Sequence, residues 1–106
     1  MKSIRDAKRK PTHPGEVLRE EYMKPYGLTP YKLASMCRIP RTRIERIARE
    51  EIGITADTAL RLAKVLRTTP AFWMNLQTRY EVEKAKAERA VEIDQLEEID
   101  PTLATA

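Results

Sequence analysis

The chain has 106 residues, 42% of them hydrophobic and only 6% aromatic, enough for one domain with a modest, mainly aliphatic core. Its formal net charge is +4, and the charge is unevenly spread: Val91–Ala106 holds five acids and no Lys or Arg, which leaves residues 1–90 with 20 basic and 11 acidic side chains. Such a body favours a polyanionic partner, while the lack of any apolar run near ~18 residues excludes a membrane span.

Residues 1–11, MKSIRDAKRKP, read as a basic arm carrying Lys2, Arg5, Lys8, Arg9 and Lys10. No apolar segment follows them, so they are not a secretory signal. A first helix is expected to open at His13–Pro14, with Pro at the first helical position and Glu16 favourable in the first turn. Val17, Leu18 and Tyr22 give it an apolar side, and Pro25 and Gly27 stop it. A second helix starts at Thr29 as cap with Pro30 next, and runs to about Cys37. A third runs from Pro40 or Arg41 to Glu50. A fourth starts at Thr55 and spans about Ala56 to Leu66 with Ala59, Leu60, Leu62, Ala63 and Leu66 on its core side and Asp57 complementing its dipole. A fifth repeats the Thr–Pro opening at Thr69–Pro70 and buries Phe72, Trp73 and Leu76. Residues 81–90 have high helix propensity but little apolar surface, so this helix extends or a sixth projects. The acidic remainder, to Ala106, reads as a flexible tail.

The stretch Thr29–Arg49 carries the chemistry. Leu33, Ala34 and Cys37, then Ile44, Ile47 and Ala48, follow helical spacing, with a break around Arg38–Pro40. A helix that buries Ile44 and Ile47 shows Arg41, Thr42, Arg43, Glu45, Arg46 and Arg49 outward. A short helix packed on another and studded with Arg is what the major groove of duplex DNA accepts.

Enzymatic chemistry finds no support. His13 is the sole histidine, and with Glu16 it makes no zinc site; it reads as a helix-opening residue. No nucleophile–base pair, paired carboxylates or phosphate-cradling Gly loop is present, and no cofactor or metal is expected. Cys37, the one cysteine, reads as a buried structural thiol, and its solitude fits a reducing cytoplasm.

The segments HPGEVLREEY (His13–Tyr22), GLTPYKLA (Gly27–Ala34), ITADTALRLAKVL (Ile54–Leu66) and TTPAFWMNLQTRY (Thr68–Tyr80) resemble the HigA/VapI-type antitoxins. These belong to the XRE-like, lambda-repressor-like helix-turn-helix group. The resemblance covers about residues 12–82. It implies an all-α, five-helix DNA-binding domain, with residues 83–106 as a helical extension and acidic tail. It also implies a cytoplasmic bacterial homodimer that binds its own operator and neutralises a co-transcribed toxin, usually a small RelE-like ribonuclease. A stand-alone XRE-type repressor without a toxin is the alternative.

On that fold the third helix enters the major groove, so Arg41, Thr42, Arg43 and Arg46 are the expected base contacts, with Arg43 able to reach bases or phosphate. Arg38 and Arg49, at the helix ends, and the amides near Tyr31 and Lys32 are expected on phosphates. Glu45 is expected to steer Arg41 or Arg49 at i±4. The segment around Trp73, Met74, Gln77 and Tyr80 reads as core, as dimer interface, or as both. Two positions depart from the usual pattern. Arg38 stands where Gly is common, and a left-handed conformation there costs about 1 kcal/mol. Pro40 stands where a capping Ser or Thr is common, so Thr42 and Glu45 as a capping box would start the helix later and move Arg41 off it.

Overall fold

The computed structural model describes residues 10–104, and these form helices and no strand. Of the basic arm, Lys10 and Pro11 fall inside that range; Lys2, Arg5, Lys8 and Arg9 lie outside the described residues.

Helix α1 opens at Pro14–Val17 and continues with π-type winding over Leu18–Met23. His13 caps it: its Nδ1 accepts a hydrogen bond from the Gly15 N–H at 2.8 Å. In the wide turn, Lys24 N–H donates to Arg19 O at 3.0 Å, five residues back. That winding lets Leu18 and Met23, also five apart, share the buried face. Helices α2 (Pro30–Cys37), α4 (Ala56–Leu66) and α5 (Pro70–Asp94) each start from a threonine whose hydroxyl accepts an amide of the first turn. Such a cap is worth about 1 kcal/mol. Between α2 and α4 lies α3 (Arg41–Ala48), and a 3₁₀ turn, Pro101–Leu103, follows α5.

The core is built from Val17, Leu18, Leu33, Ala34, Ile44, Ile47, Ile54, Ala59, Leu62, Ala63 and Trp73. Trp73 sits at its centre, fully buried, with Nε1–H donating to Thr68 Oγ1 at 2.8 Å. Phe72 meets it edge-on at 5.0 Å and Tyr22 tilts against it at 5.5 Å. Leu60, expected inside, is 59% exposed. The buried stripe of α4 is Ala59–Leu62–Ala63, and Leu60 falls one step off it.

α1 is fastened to α3 by close backbone approach. A Cβ on Gly15 would lie 1.8 Å from the Ile47 carbonyl oxygen, so no side chain fits there. Arg19 Nη1 donates to the Ala48 carbonyl, satisfying one of the free acceptors at the end of α3.

α5 extends to Asp94 as one 25-residue element with a break at Arg89 (φ −128°, ψ 20°). After Tyr80 its residues are almost all exposed, including Val82, Val91 and Ile93. No described helix is long and apolar enough to cross a membrane.

Candidate nucleic-acid interface

Helices α2 and α3 pack against each other across the turn Arg38–Ile39–Pro40. Arg38 takes the left-handed conformation there (φ 57°, ψ 47°), and its N–H reaches back to Ala34 and Ser35 carbonyls. The turn therefore has the ordinary left-handed form despite the arginine, which bears the steric cost of a Cβ at that position. Pro40 is extended and offers no capping oxygen, and α3 starts at Arg41. The later start that Thr42 and Glu45 would give is not taken, so Arg41 belongs to the helix.

At about 100° per residue, the outward arc of α3 runs Arg41, Glu45, Arg49, Thr42, Arg46, with Glu45 half-buried and the others exposed. Ile44 and Ile47, both fully buried, hold the opposite side. Arg43 falls at the border, between Arg46 and Ile47. These positions explain the ion pairs. Arg41 Nε lies 3.6 Å from Glu45 Oε1, the expected i, i+4 steering, and Arg46 Nε lies 3.6 Å from Glu51 Oε1. Both arginines remain more than half exposed. Exposed pairs of this kind are worth about 0.2–1 kcal/mol and yield readily to a phosphate or a base edge. Arg43 is different: its Nη1 donates to Asp57 Oδ2 of α4 at 3.0 Å. Its side chain is 37% exposed.

Tyr31 and Lys32 are exposed in the first turn of α2. The Lys32 N–H, expected to be free for phosphate, is instead taken by Thr29 Oγ1 at 3.1 Å. Among its groups the exposed side chain, rather than the amide, is what remains available. Arg38, in the turn between the two helices, and Arg49, just past the end of α3, are both exposed.

Of the four α5 residues read as core, dimer interface or both, two are buried within the protomer. Trp73 has no exposed surface within the protomer and belongs to the core alone. Gln77 is 9% exposed, and its Oε1 accepts the buried Ile54 N–H at 2.7 Å. It satisfies a backbone donor that burial would otherwise leave unpaired, and Gly53 lies so close that a Cβ there would sit 2.6 Å from the Gln77 amide. Met74 and Tyr80 are half-buried, Tyr80 meeting the His13 ring edge-on at 4.7 Å.

Sequence reasoning missed Arg61. Its Nε donates to both Asp57 carboxylate oxygens at 3.1 Å, and its Nη1 donates to the Cys37 carbonyl at 2.9 Å. The Asp57–Arg61 spacing of four residues was the available signal; the reach to Cys37, from another helix, had none. Two titrating groups are displaced by these surroundings. Asp57 is held below the ordinary carboxylate range by its hydrogen bonds from Arg61 and then Arg43. Burial raises the Cys37 thiol, which keeps it protonated and unreactive. Among the described residues no group of His, Cys, Asp and Glu could hold a metal ion.

The helix-turn-helix family profile matches residues 20–73, which takes in α2, the turn, α3 and α4. Virulence-associated protein I of Dichelobacter nodosus is 47% identical over 77 residues, which span 73% of this chain and 71% of that protein. An uncharacterized HTH-type transcriptional regulator of Haemophilus influenzae is 43% identical over 74 residues, 70% of this chain and 69% of that one. The structure of Pseudomonas aeruginosa antitoxin HigA with the higBA promoter superposes with a TM-score of 0.80 at 38% identity, covering 89% of this chain and all of that one. The chain belongs to the helix-turn-helix proteins of the HigA/VapI type. It is a member of a DNA-binding regulator family, not of an enzyme family.

Proposed function

We propose that this protein binds operator DNA as a homodimer, with α3 in the major groove, and represses its own promoter. The observation that carries this reading is the uncovered face of Arg41, Thr42 and Arg46, held rigidly outward by buried Ile44 and Ile47. Arg41 and Arg46 suit bidentate recognition of guanine, and Thr42 suits a base edge or a thymine methyl. Tyr31, Lys32, Arg38 and Arg49 flank them on the side where phosphates would run, and fix register without reading sequence. The P. aeruginosa HigA structure, a similar chain with the higBA promoter, supports DNA binding by this one. Residues 12–82 serve as the DNA-binding unit and 83–106 as its extension. Met74 and Tyr80 on α5 are proposed to meet the second protomer, which sets two α3 helices about 34 Å apart on a near-palindromic site. Such a protein works in the bacterial cytoplasm.

The same chain is proposed to neutralise a RelE-like ribonuclease toxin through a surface away from α3, leaving DNA binding and toxin binding separable. Similarity to a HigA antitoxin favours this. The 43% identical H. influenzae protein, described as a transcriptional regulator, keeps a stand-alone repressor as the second reading.

Two measurements test these readings. Arg46→Ala is expected to weaken binding to a promoter duplex by about 1–3 kcal/mol while leaving the circular dichroism spectrum intact. An unchanged affinity in titration would remove Arg46 from the interface. Co-expression with any small basic ribonuclease encoded beside the gene should yield a complex that survives Arg46→Ala; failure to form it favours the stand-alone repressor.

A further inference from the structure

We infer that Asp57 is a positioning residue that restrains Arg43 and so raises discrimination between one duplex sequence and another. The inference rests on the operator-binding reading above. Asp57 lies in the first turn of α4, yet its carboxylate joins three helices. It accepts from Arg43 of α3 at 3.0 Å and from Arg61 of α4 at 3.1 Å, and Arg61 in turn donates to the Cys37 carbonyl at the end of α2 at 2.9 Å. The carboxylate therefore ties the border of the recognition helix to the turn that orients it.

Arg43 is set apart from its neighbours by this arrangement. Arg41 and Arg46 pair with acids four and five residues away at 3.6 Å, with side chains 60% and 55% exposed. Arg43 pairs with an acid fourteen residues away in another helix and at hydrogen-bonding distance; its own side chain is 37% exposed and that of Asp57 57%, so the distance and the link between helices set this pair apart. A free arginine beside DNA finds a phosphate in any register and strengthens sequence-independent attraction. One whose charge is already engaged and whose Nη1 is already held contributes only where the duplex presents a group at that place. Asp57 thus mutes the non-specific part of binding and leaves the site-specific part.

The test measures affinity for a duplex of the protein's own promoter and for a random duplex across a salt series, by fluorescence anisotropy. Asp57→Asn is expected to tighten random-duplex binding by about three- to tenfold at low salt, with a log–log salt slope steeper by about one. Promoter binding should tighten less, so the promoter-to-random ratio falls. The same change made in Arg43→Gln should then leave the ratio unaltered; a ratio that still falls there means Asp57 acts as a bare negative charge, and overturns the inference. Arg43→Gln alone covers the case where Asp57→Asn does not fold. Its random-duplex slope should match the wild type, whereas a slope shallower by about one shows Arg43 already free for phosphate and also overturns it. An unaltered ratio in Asp57→Asn, beside a clear wild-type preference, overturns this inference alone. Absence of any wild-type preference overturns the operator reading and this inference together.

Discussion

The two halves of α5 are one helix by backbone and two different objects by physics. Its first turns bury Trp73 in the centre of the core and use Gln77 to satisfy the Ile54 amide from another segment. Beyond Tyr80 the same helix is solvated on nearly every side, its ion pairing is local, as in Arg89–Glu92, and its backbone breaks at Arg89. The lesson is that helix propensity sustains the second half, whereas long-range packing fixes the first. The body between His13 and Tyr80 presents α3; the extension beyond it supplies no residue of the core.

The sharpest test of this contrast is Trp73→Ala. Loss of a fully buried indole and of its bond to Thr68 should cost about 3–5 kcal/mol in urea unfolding. A loss below about 1 kcal/mol would mean that the core does not centre on α5.

A middle-sized effect is expected where α5 meets α1, at His13. Burial first, then the Arg19 and Lys84 charges, lowers its pKa from the ordinary 6.5, while Glu50 opposes them. The neutral ring is the form whose Nδ1 accepts from Gly15. The contribution of this cap is therefore fully present above about pH 6.5 and is lost as pH falls through the lowered folded-state value. A cap of this kind is worth about 1 kcal/mol. His13→Asn keeps an acceptor without the titration, so its stability should vary less than the wild type's between pH 7 and pH 5. Parallel pH profiles of the two proteins would remove His13 from the account.

The smallest effect belongs to the extension. Leu96, 68% exposed, should be replaceable by Ser at a cost under about 0.5 kcal/mol. A larger, concentration-dependent loss would show that another molecule covers this segment in solution, and the contrast between the halves would then hold for the isolated protomer alone.

What the sequence makes legible follows the range of the interaction. The Thr29, Thr55 and Thr69 openings, the isoleucine side of α3 and the Arg41–Glu45 pair all arise within one or two helical turns, and local pattern is enough to read them. Leu60 shows the limit of periodicity: its neighbours set the stripe, and the partner helices decide how wide that stripe is. Arg61 and Gln77 act across 24 and 23 residues on backbone groups of other elements. Nothing in local spacing announces such reach. Trp73 was open to two readings because an apolar side chain looks the same whether it faces its own core or a second protomer, and burial within the protomer decides it. The left-handed Arg38 lies between these cases, since helix-turn-helix spacing demands the conformation even where the residue does not favour it.

The proposed operator recognition depends above all on α3 reading duplex DNA with Arg41, Thr42 and Arg46. The direct measurement is a fluorescence titration of the wild-type protein against its own promoter and a random duplex of equal length, at two salt concentrations. The expected result is preferential binding of the promoter by at least about a thousandfold, with both affinities falling steeply as salt rises. Equal affinities at both salt concentrations would contradict it.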